Sequence, residues 1–376
     1  DDCLAAGDDA GEWVHKLQVL RFSSLPTDGT SADWIEDTTG SQLQSFCDRI
    51  DTREGADWVD YAAKAVSMGD GIAYLRNAMP RKAARALRDR IFASLPPHKR
   101  TTRVFANHMC QVHKGVAGSA GNDPSCEPLD EKLFELPSHR QILSLASRLL
   151  GENHKLHNAG LSLVTPVVVG SSNSGSVDPL AGHLPHQDQP INGISVWGGR
   201  VPPPTHPLSL QALWMLDDFT YDNGGTYAIS RSQHFEHHID AWARNATGGH
   251  HSAVDGRLPY RFAIGKAGDV LLALGSLWHG ASTSLPKQRP RLALLFEYAP
   301  SFVEPRDRYS ASLVNRYTTS EEQRQLFPVV DEAACKGAAG SAAGGANAAA
   351  PPAQQAAGCD GISDVVSISD LHSLSR

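Results

Sequence analysis

Two hydrophobic patterns divide the chain. In residues 80–95, "PRKAARALRDRIFASL", the apolar Ala84, Leu87 and Ile91 recur at i, i+3 and i+7. That spacing marks one face of a helix, and Pro80 suits its first turn. A second helix is predicted over 138–151, "SHRQILSLASRLLG", with Ser138 as N-cap and Gly151 closing it. The preceding "GIAYLRNAM" (71–79) reads as a short strand. From about residue 156 the pattern shortens to strand-sized apolar runs separated by turns, among them "LHNAGLSLVTPVVV", "ISVWGG", "LSLQALWML", "GTYAIS", "RFAIG", "DVLLALG" and "RLALLFEY". "YDNGGT" (221–226) is a strong turn signal, because Asn-Gly-Gly tolerates positive φ. Many short strands with frequent turns predict a sandwich or barrel. With the helices, the predicted class is mainly β with flanking helices (α+β).

Three regions follow. Residues 1–67, with "SQLQSFCDRI" and "ADWVDYAAKAV", read as a helical N-terminal extension. Residues 68–327 form the main domain, its β core at about 156–300. Residues 328–376 carry an Ala/Gly/Pro tract that cannot bury enough apolar surface to offset chain entropy, so a disordered tail is expected. Residues 100–130 are Gly/Asn/Ser-rich and read as a long loop able to act as a lid.

Composition narrows the function. The 376 residues are 41% apolar and include seven Trp, enough for a sizeable core. A net charge of −7, from 34 basic and 41 acidic residues, gives no electrostatic reason to expect nucleic acid or an anionic membrane as partner. The apolar runs fall short of the roughly 20 residues that span a bilayer. The expectation is a soluble protein of the cell interior, its start at Asp1 reflecting processing or excision. Six scattered cysteines contain no Cys-x-x-Cys pair, which argues against a Cys-rich zinc site. Their even number permits disulfides without requiring them.

Candidate chemistry begins in "HLPHQDQPINGISVWGG" (183–199). Strand alternation has period two, so His186 and Asp188 project from one face. The best third ligand is His279 in "GDVLLALGSLWHGAS", which follows an apolar strand. Two His and one carboxylate leave three octahedral positions open, the arrangement of non-haem Fe(II) oxygenases. A 2-oxo acid can take two of these and leave one for O2. Its far carboxylate calls for a bidentate cation, which Arg supplies better than Lys. "QRPRLALLFEY" offers Arg289 and Arg291 on the same parity. Pro290 decides between them: proline sits at a strand's start, leaving Arg289 in the loop and Arg291 in the paired strand.

Other polar groups have plainer readings. His183 reads as a rim residue, and His234, His237, His238, His250 and His251 as a surface loop. Arg81, Arg85 and Arg88 share a helix face that is either solvated or a dock for an anionic tail. Asp217 and Asp218 are expected to accept backbone hydrogens of the neighbouring turn. Trp214 reads as core, and Trp278, beside His279, as core or pocket wall.

On "HLPHQD", "LWMLDDFTYDNGGTYAISRSQH", "AGDVLLALGSLWHGAS" and "RPRLALLFEY" the chain resembles the phytanoyl-CoA dioxygenase (PhyH-like) family of Fe(II)/2-oxoglutarate-dependent oxygenases, over roughly residues 68–300. The resemblance implies a double-stranded β-helix, iron held by His186, Asp188 and His279, and 2-oxoglutarate held by Arg291. It also implies O2 as co-substrate, ascorbate as a helpful reductant, and a small-molecule or acyl substrate hydroxylated at a C–H bond with release of succinate and CO2. An oxygenase of protein side chains, or a silent binding protein of the same fold, are the alternatives. Asp188 keeps its carboxylate, so no ligand position is vacated for a halide. The chain departs from the family's Pro-Gly-Ser-His motif: here "SRSQH" (230–234) keeps only Ser232, which touches local turn geometry and substrate contacts rather than the metal site.

Overall fold

The computed structural model describes residues 56–100, 104–106, 109–110, 112–113, 126–166, 186–188, 207–220, 222–234 and 260–330. The predicted helix "SQLQSFCDRI", the strand "ISVWGG", His183, His237, His238, His250, His251 and the tail beyond 330 lie outside these residues.

Eleven strands are described: β1 (Ile72–Leu75), β2 (Val104–Ala106), β3 (Val112–His113), β4 (Lys155–Val164), β5 (Leu210–Met215), β6 (Thr226–Ile229), β7 (Tyr260–Phe262), β8 (Val270–Leu274), β9 (His279–Ala281), β10 (Arg291–Ala299) and β11 (Asp307–Arg308). They form a six-stranded sheet in the order β1-β8-β5-β10-β4-β2, a three-stranded sheet β7-β6-β9, and a pair β11-β3. Every pairing is antiparallel. This is the expected mainly β, helix-flanked architecture, a double-stranded β-helix.

Strand alternation splits the large sheet into two faces. Ala73, Leu75, Leu272, Trp214, Leu294 and Phe296 look outward into a core shared with the helices. That core takes in Ala84, Leu87 and Ile91 of helix α1 (Arg81–Ser94), the stripe read from sequence. Tyr74, Leu271, Ala273, Met215 and Ala293 look the other way and pack with Ala228 of β6, Phe219 and Ala263. The space between the two sheets is therefore walled by odd-numbered residues of β5 and β10.

The helix Ala56–Ser67 also belongs to the outer core, through Trp58, Ala62, Ala63 and Val66. The domain start expected at residue 68 falls just behind it. At the other end, pairing runs past 327: Tyr309 N–H donates to the Pro328 carbonyl and Val330 N–H to that of Tyr309, both at 2.9 Å.

One helix start differs from expectation. The helix runs over Arg140–Leu150 with His139 at its N-cap and no side-chain cap bond. Ser138 lies in a 3-10 turn with Pro137, and its hydroxyl donates back to the carbonyls of Phe134 and Glu135, so it is not the cap. Gly151 does close the helix, at φ 93°. In the 100–130 region, Cys110 and Cys126 form a disulfide.

Candidate metal centre

The segment 186–188 is stitched onto the start of β9. His186 N–H donates to the His279 carbonyl at 2.8 Å, and His279 N–H returns a bond to His186 at 3.0 Å. Between the two candidate ligands, Gln187 turns the other way and donates to the Ser276 carbonyl at 2.9 Å. The expected period-two alternation is therefore present.

The three side chains converge. His279 Nε2 lies 3.2 Å from Asp188 Oδ2, and His186 Nε2 lies 3.5 Å from Asp188 Oδ1. All three ligand atoms fall within 4.8 Å of one another. Adjacent ligands on an octahedral ion, at ordinary metal–ligand lengths near 2.1 Å, stand about 3 Å apart. The three candidate ligand atoms are thus close enough together to hold one ion. Among the described residues this is the only cluster of its kind; His234 is not part of it.

The surroundings position the candidate ligands His279 and Asp188. His279 Nδ1 lies 2.9 Å from the Leu277 carbonyl, the place for the ring N–H, so Nε2 presents its lone pair to the site. Trp278 is buried, and its backbone N–H donates to Ser232 Oγ at 2.8 Å, which secures the residue before His279. That gives the retained Ser232 of "SRSQH" a role. Arg231, where the family has glycine, keeps the left-handed backbone at φ 63°. Asp188 Oδ2 also accepts a hydrogen bond from Gln211 Nε2 at 2.8 Å, and the Asp188 carbonyl accepts one from Ser209 Oγ at 3.3 Å.

Electrostatics follow this geometry. Burial alone pushes the Asp188 carboxyl up, but hydrogen bonds and charge from His186 and His279 outweigh it and hold the group well below the usual carboxylate range. Burial lowers His279, yet the hydrogen bond and charge of Asp188 raise it overall.

Arg291 opens β10, is 2% exposed, and stacks its guanidinium over the Phe219 ring at 4.0 Å from the centroid. Its parity with Ala293 turns it to the inner face, while Arg289 is exposed in the loop, as Pro290 predicted. Of the helix-face arginines, Arg81 and Arg85 are exposed, as a solvated face requires, while Arg88 is largely buried. Arg81 and Arg85 pair with Asp218, and Arg88 pairs with Asp217. Those aspartates accept backbone hydrogens from Ala267 and Leu292 on other segments, not from their own turn. The turn is closed by Asn223, whose side chain bonds Thr220 N–H and the Asp218 carbonyl. Trp214 is core, as read.

The profile of the phytanoyl-CoA dioxygenase (PhyH) family matches residues 69–292, more than half the chain. The chain belongs to that family. The PhyH family is one of Fe(II)/2-oxoglutarate-dependent oxygenases, and the His186–Asp188–His279 cluster lies inside the matched span. No curated protein matches the chain in sequence. Similar solved structures include the non-haem α-ketoglutarate-dependent epimerase SnoN from nogalamycin biosynthesis (16% identity, TM-score 0.42, 74% of this chain and 97% of that one). HygX from Streptomyces hygroscopicus, with nickel and 2-oxoglutarate bound, is similar at 15% identity and TM-score 0.42, over 63% of this chain and 85% of that one. EctD from S. alaskensis, with 2-oxoglutarate and 5-hydroxyectoine, is similar at 17% identity and TM-score 0.42, over 68% and 82%.

Sequence reading missed Gln211, Ser209 and Glu297. Their signal is a polar residue at every second place of an otherwise apolar strand, Ser209 and Gln211 in "LSLQALWML" and Glu297 in "RLALLFEY". Alternation shows that such residues share a face, but not that the face looks onto a metal.

Proposed function

We propose that this PhyH-family oxygenase hydroxylates a C–H bond of a small-molecule or acyl substrate, with Fe(II) held by His186, Asp188 and His279 and the far carboxylate of 2-oxoglutarate held by Arg291. The carrying observation is the convergence of two imidazole nitrogens and one carboxylate within 4.8 Å of one another. Bound iron and 2-oxoglutarate supply the O2-dependent oxidising chemistry that releases succinate and CO2. The residues supply ligation and orientation. The backbone bridge fixes the two histidines, Leu277 sets the His279 tautomer, and Gln211 aims the Asp188 carboxylate. Arg291, buried beside Phe219, offers a forked donor to a carboxylate in a desolvated place where such a bond is strong.

The test incubates Fe(II)-loaded protein with 2-oxoglutarate, ascorbate and a fractionated metabolite extract. Succinate release coupled to loss of one compound and gain of its hydroxylated form is expected. Succinate release with an isomerised or desaturated product would overturn hydroxylation and leave the oxygenase class standing. No 2-oxoglutarate turnover under any condition would overturn the enzymatic reading.

A further inference from the structure

The inner face of the large sheet holds a polar row that metal ligation does not use. Glu297 of β10 stands directly between Asn158 of β4 and Gln211 of β5 in the strand register. Gln211 is the donor to Asp188, so the row runs up to the metal cluster. Arg291 lies at the other end of the same strand face, about 20 Å away at the usual rise per residue. Between them, Leu213, Leu295 and Ser162 are only half-buried.

Glu297 and Asn158 are 4% and 5% exposed, and Glu297 Oε1 and Asn158 Oδ1 are both buried with no hydrogen-bond partner among the described residues. Ser209 Oγ stands within hydrogen-bond reach of the Asp188 carbonyl, at 3.3 Å, and of the Glu297 carboxyl, where its hydroxyl favours the ionised form but is outweighed by burial. Burial, followed by the nearby Asp188 charge, pushes this carboxyl up to about 8, in accord with a neutral acid. The oxygen that does not carry the proton is a carbonyl acceptor. Two neutral acceptors side by side, buried and unsatisfied among the described residues, are costly to the fold unless something else donates to them.

We propose that Glu297 and Asn158 form the substrate-recognition point of the metal site, and that the substrate is a neutral small molecule presenting a hydroxyl donor to Glu297 Oε1 and Asn158 Oδ1. Neutral acceptors suit a hydroxyl better than an ammonium, whose buried charge would lack a counter-charge. A plain alkyl chain would leave both oxygens unpaired. This deepens the oxygenase reading and rests on it.

Thermal unfolding and a binding probe test it on the full chain loaded with Co(II) and 2-oxoglutarate. Glu297→Leu and Asn158→Leu should each raise Tm by roughly 2–6 °C, because each removes an unsatisfied acceptor, and their effects should add. If the two side chains instead share a hydrogen bond with each other, each Leu variant unfolds lower and the double variant is less than additive, which overturns the proposal. Erythritol, a neutral polyol, should perturb the Co(II) d–d bands of the parent protein and of Glu297→Gln, which keeps the carbonyl acceptor, but not of Glu297→Leu. No effect on the parent overturns the hydroxyl class. Absence of a Co(II) spectrum in the parent would strike the metal reading instead, a separate result.

Discussion

Arg88 Nε lies 3.3 Å from Asp217 Oδ2, and this pair grips the backbone on both sides of Arg291. Asp217 Oδ2 accepts Leu292 N–H at 2.8 Å, and Arg88 Nη2 donates to the Pro290 carbonyl at 3.2 Å. The outer helix thereby fixes the peptide units flanking the proposed 2-oxoglutarate anchor. Arg88→Ala or Asp217→Asn should weaken 2-oxoglutarate binding by about 5–30-fold while Co(II) affinity holds. Titrating 2-oxoglutarate against the Co(II) bands measures both. Arg88→Lys should not restore the anchor, since one ammonium cannot reproduce the fork.

The anchor has its own test. Arg291→Ala should weaken 2-oxoglutarate affinity by about 10–150-fold, the loss of a charged hydrogen-bond pair. Arg289→Ala, in the exposed loop, should change it only a few-fold. The opposite ranking in the same titration would move the anchor to Arg289.

Gln211 offers a way to disturb the metal site without touching a ligand. Its amide occupies one lone pair of Asp188 Oδ2 and so orients the carboxylate. Partners of this kind change metal affinity by roughly 10–100-fold when lost. Gln211→Leu should weaken Co(II) binding by that order with little change in Tm, and isothermal calorimetry would show it. Gln211→Glu should do no better, because it sets a second carboxylate against Asp188.

Gly275 marks where strand β8 ends against the metal-ligand segment. A Cβ there would overlap Ser209 Oγ, which can rotate away, and the Asp188 carbonyl oxygen, which is backbone and yields only if Asp188 itself moves. Gly275→Ala should lower Co(II) affinity at least about 10-fold by displacing Asp188, with the sheet's circular dichroism retained. Undiminished metal binding would mean that segment 186–188 is free to shift.

Glu297 predicts a pH dependence. Its folded value of about 8 lies above the ordinary 4.5, through burial first, then the charge of Asp188, with Ser209 and Arg306 opposing and Asp307 reinforcing. Between those pH values the folded chain holds one more proton than the unfolded chain, so stability falls as pH rises through this window and levels off above it. Glu297→Gln has no proton to lose. Its unfolding free energy relative to the parent should climb with pH from about 4.5 to 8, with a slope approaching about 1.4 kcal/mol per unit. Urea unfolding across that range measures it; parallel curves would mean that Glu297 is ionised throughout.

The parts of the molecule legible in its sequence are those with a short repeat or an unusual residue. Ala84, Leu87 and Ile91 gave a helix face by spacing, and His186 and Asp188 shared a side by strand parity. Pro290 separated two arginines that parity left equal. What stayed hidden depends on who meets whom across the fold. Arg88 looked like a surface charge because its partners, Asp217 and Pro290, lie far along the chain. Ser138 looked like a cap because its type suits one, but Pro137 places it in a turn where its hydroxyl donates backward. The disulfide between Cys110 and Cys126 could not be chosen from six cysteines, since connectivity is a property of the folded loop.

The backbone bridge between His186 and His279 bears on how an ion is taken up. Segments remote in sequence are already joined there, so the chain entropy of closing that long loop is met by the fold. Ion binding then has only side chains to order. In small metal domains the ion is a folding partner, and its removal unfolds the chain. Here the ion is a replaceable guest: its loss should leave both sheets in register, and its return should run at the pace of ligand exchange, without waiting for the polypeptide to refold.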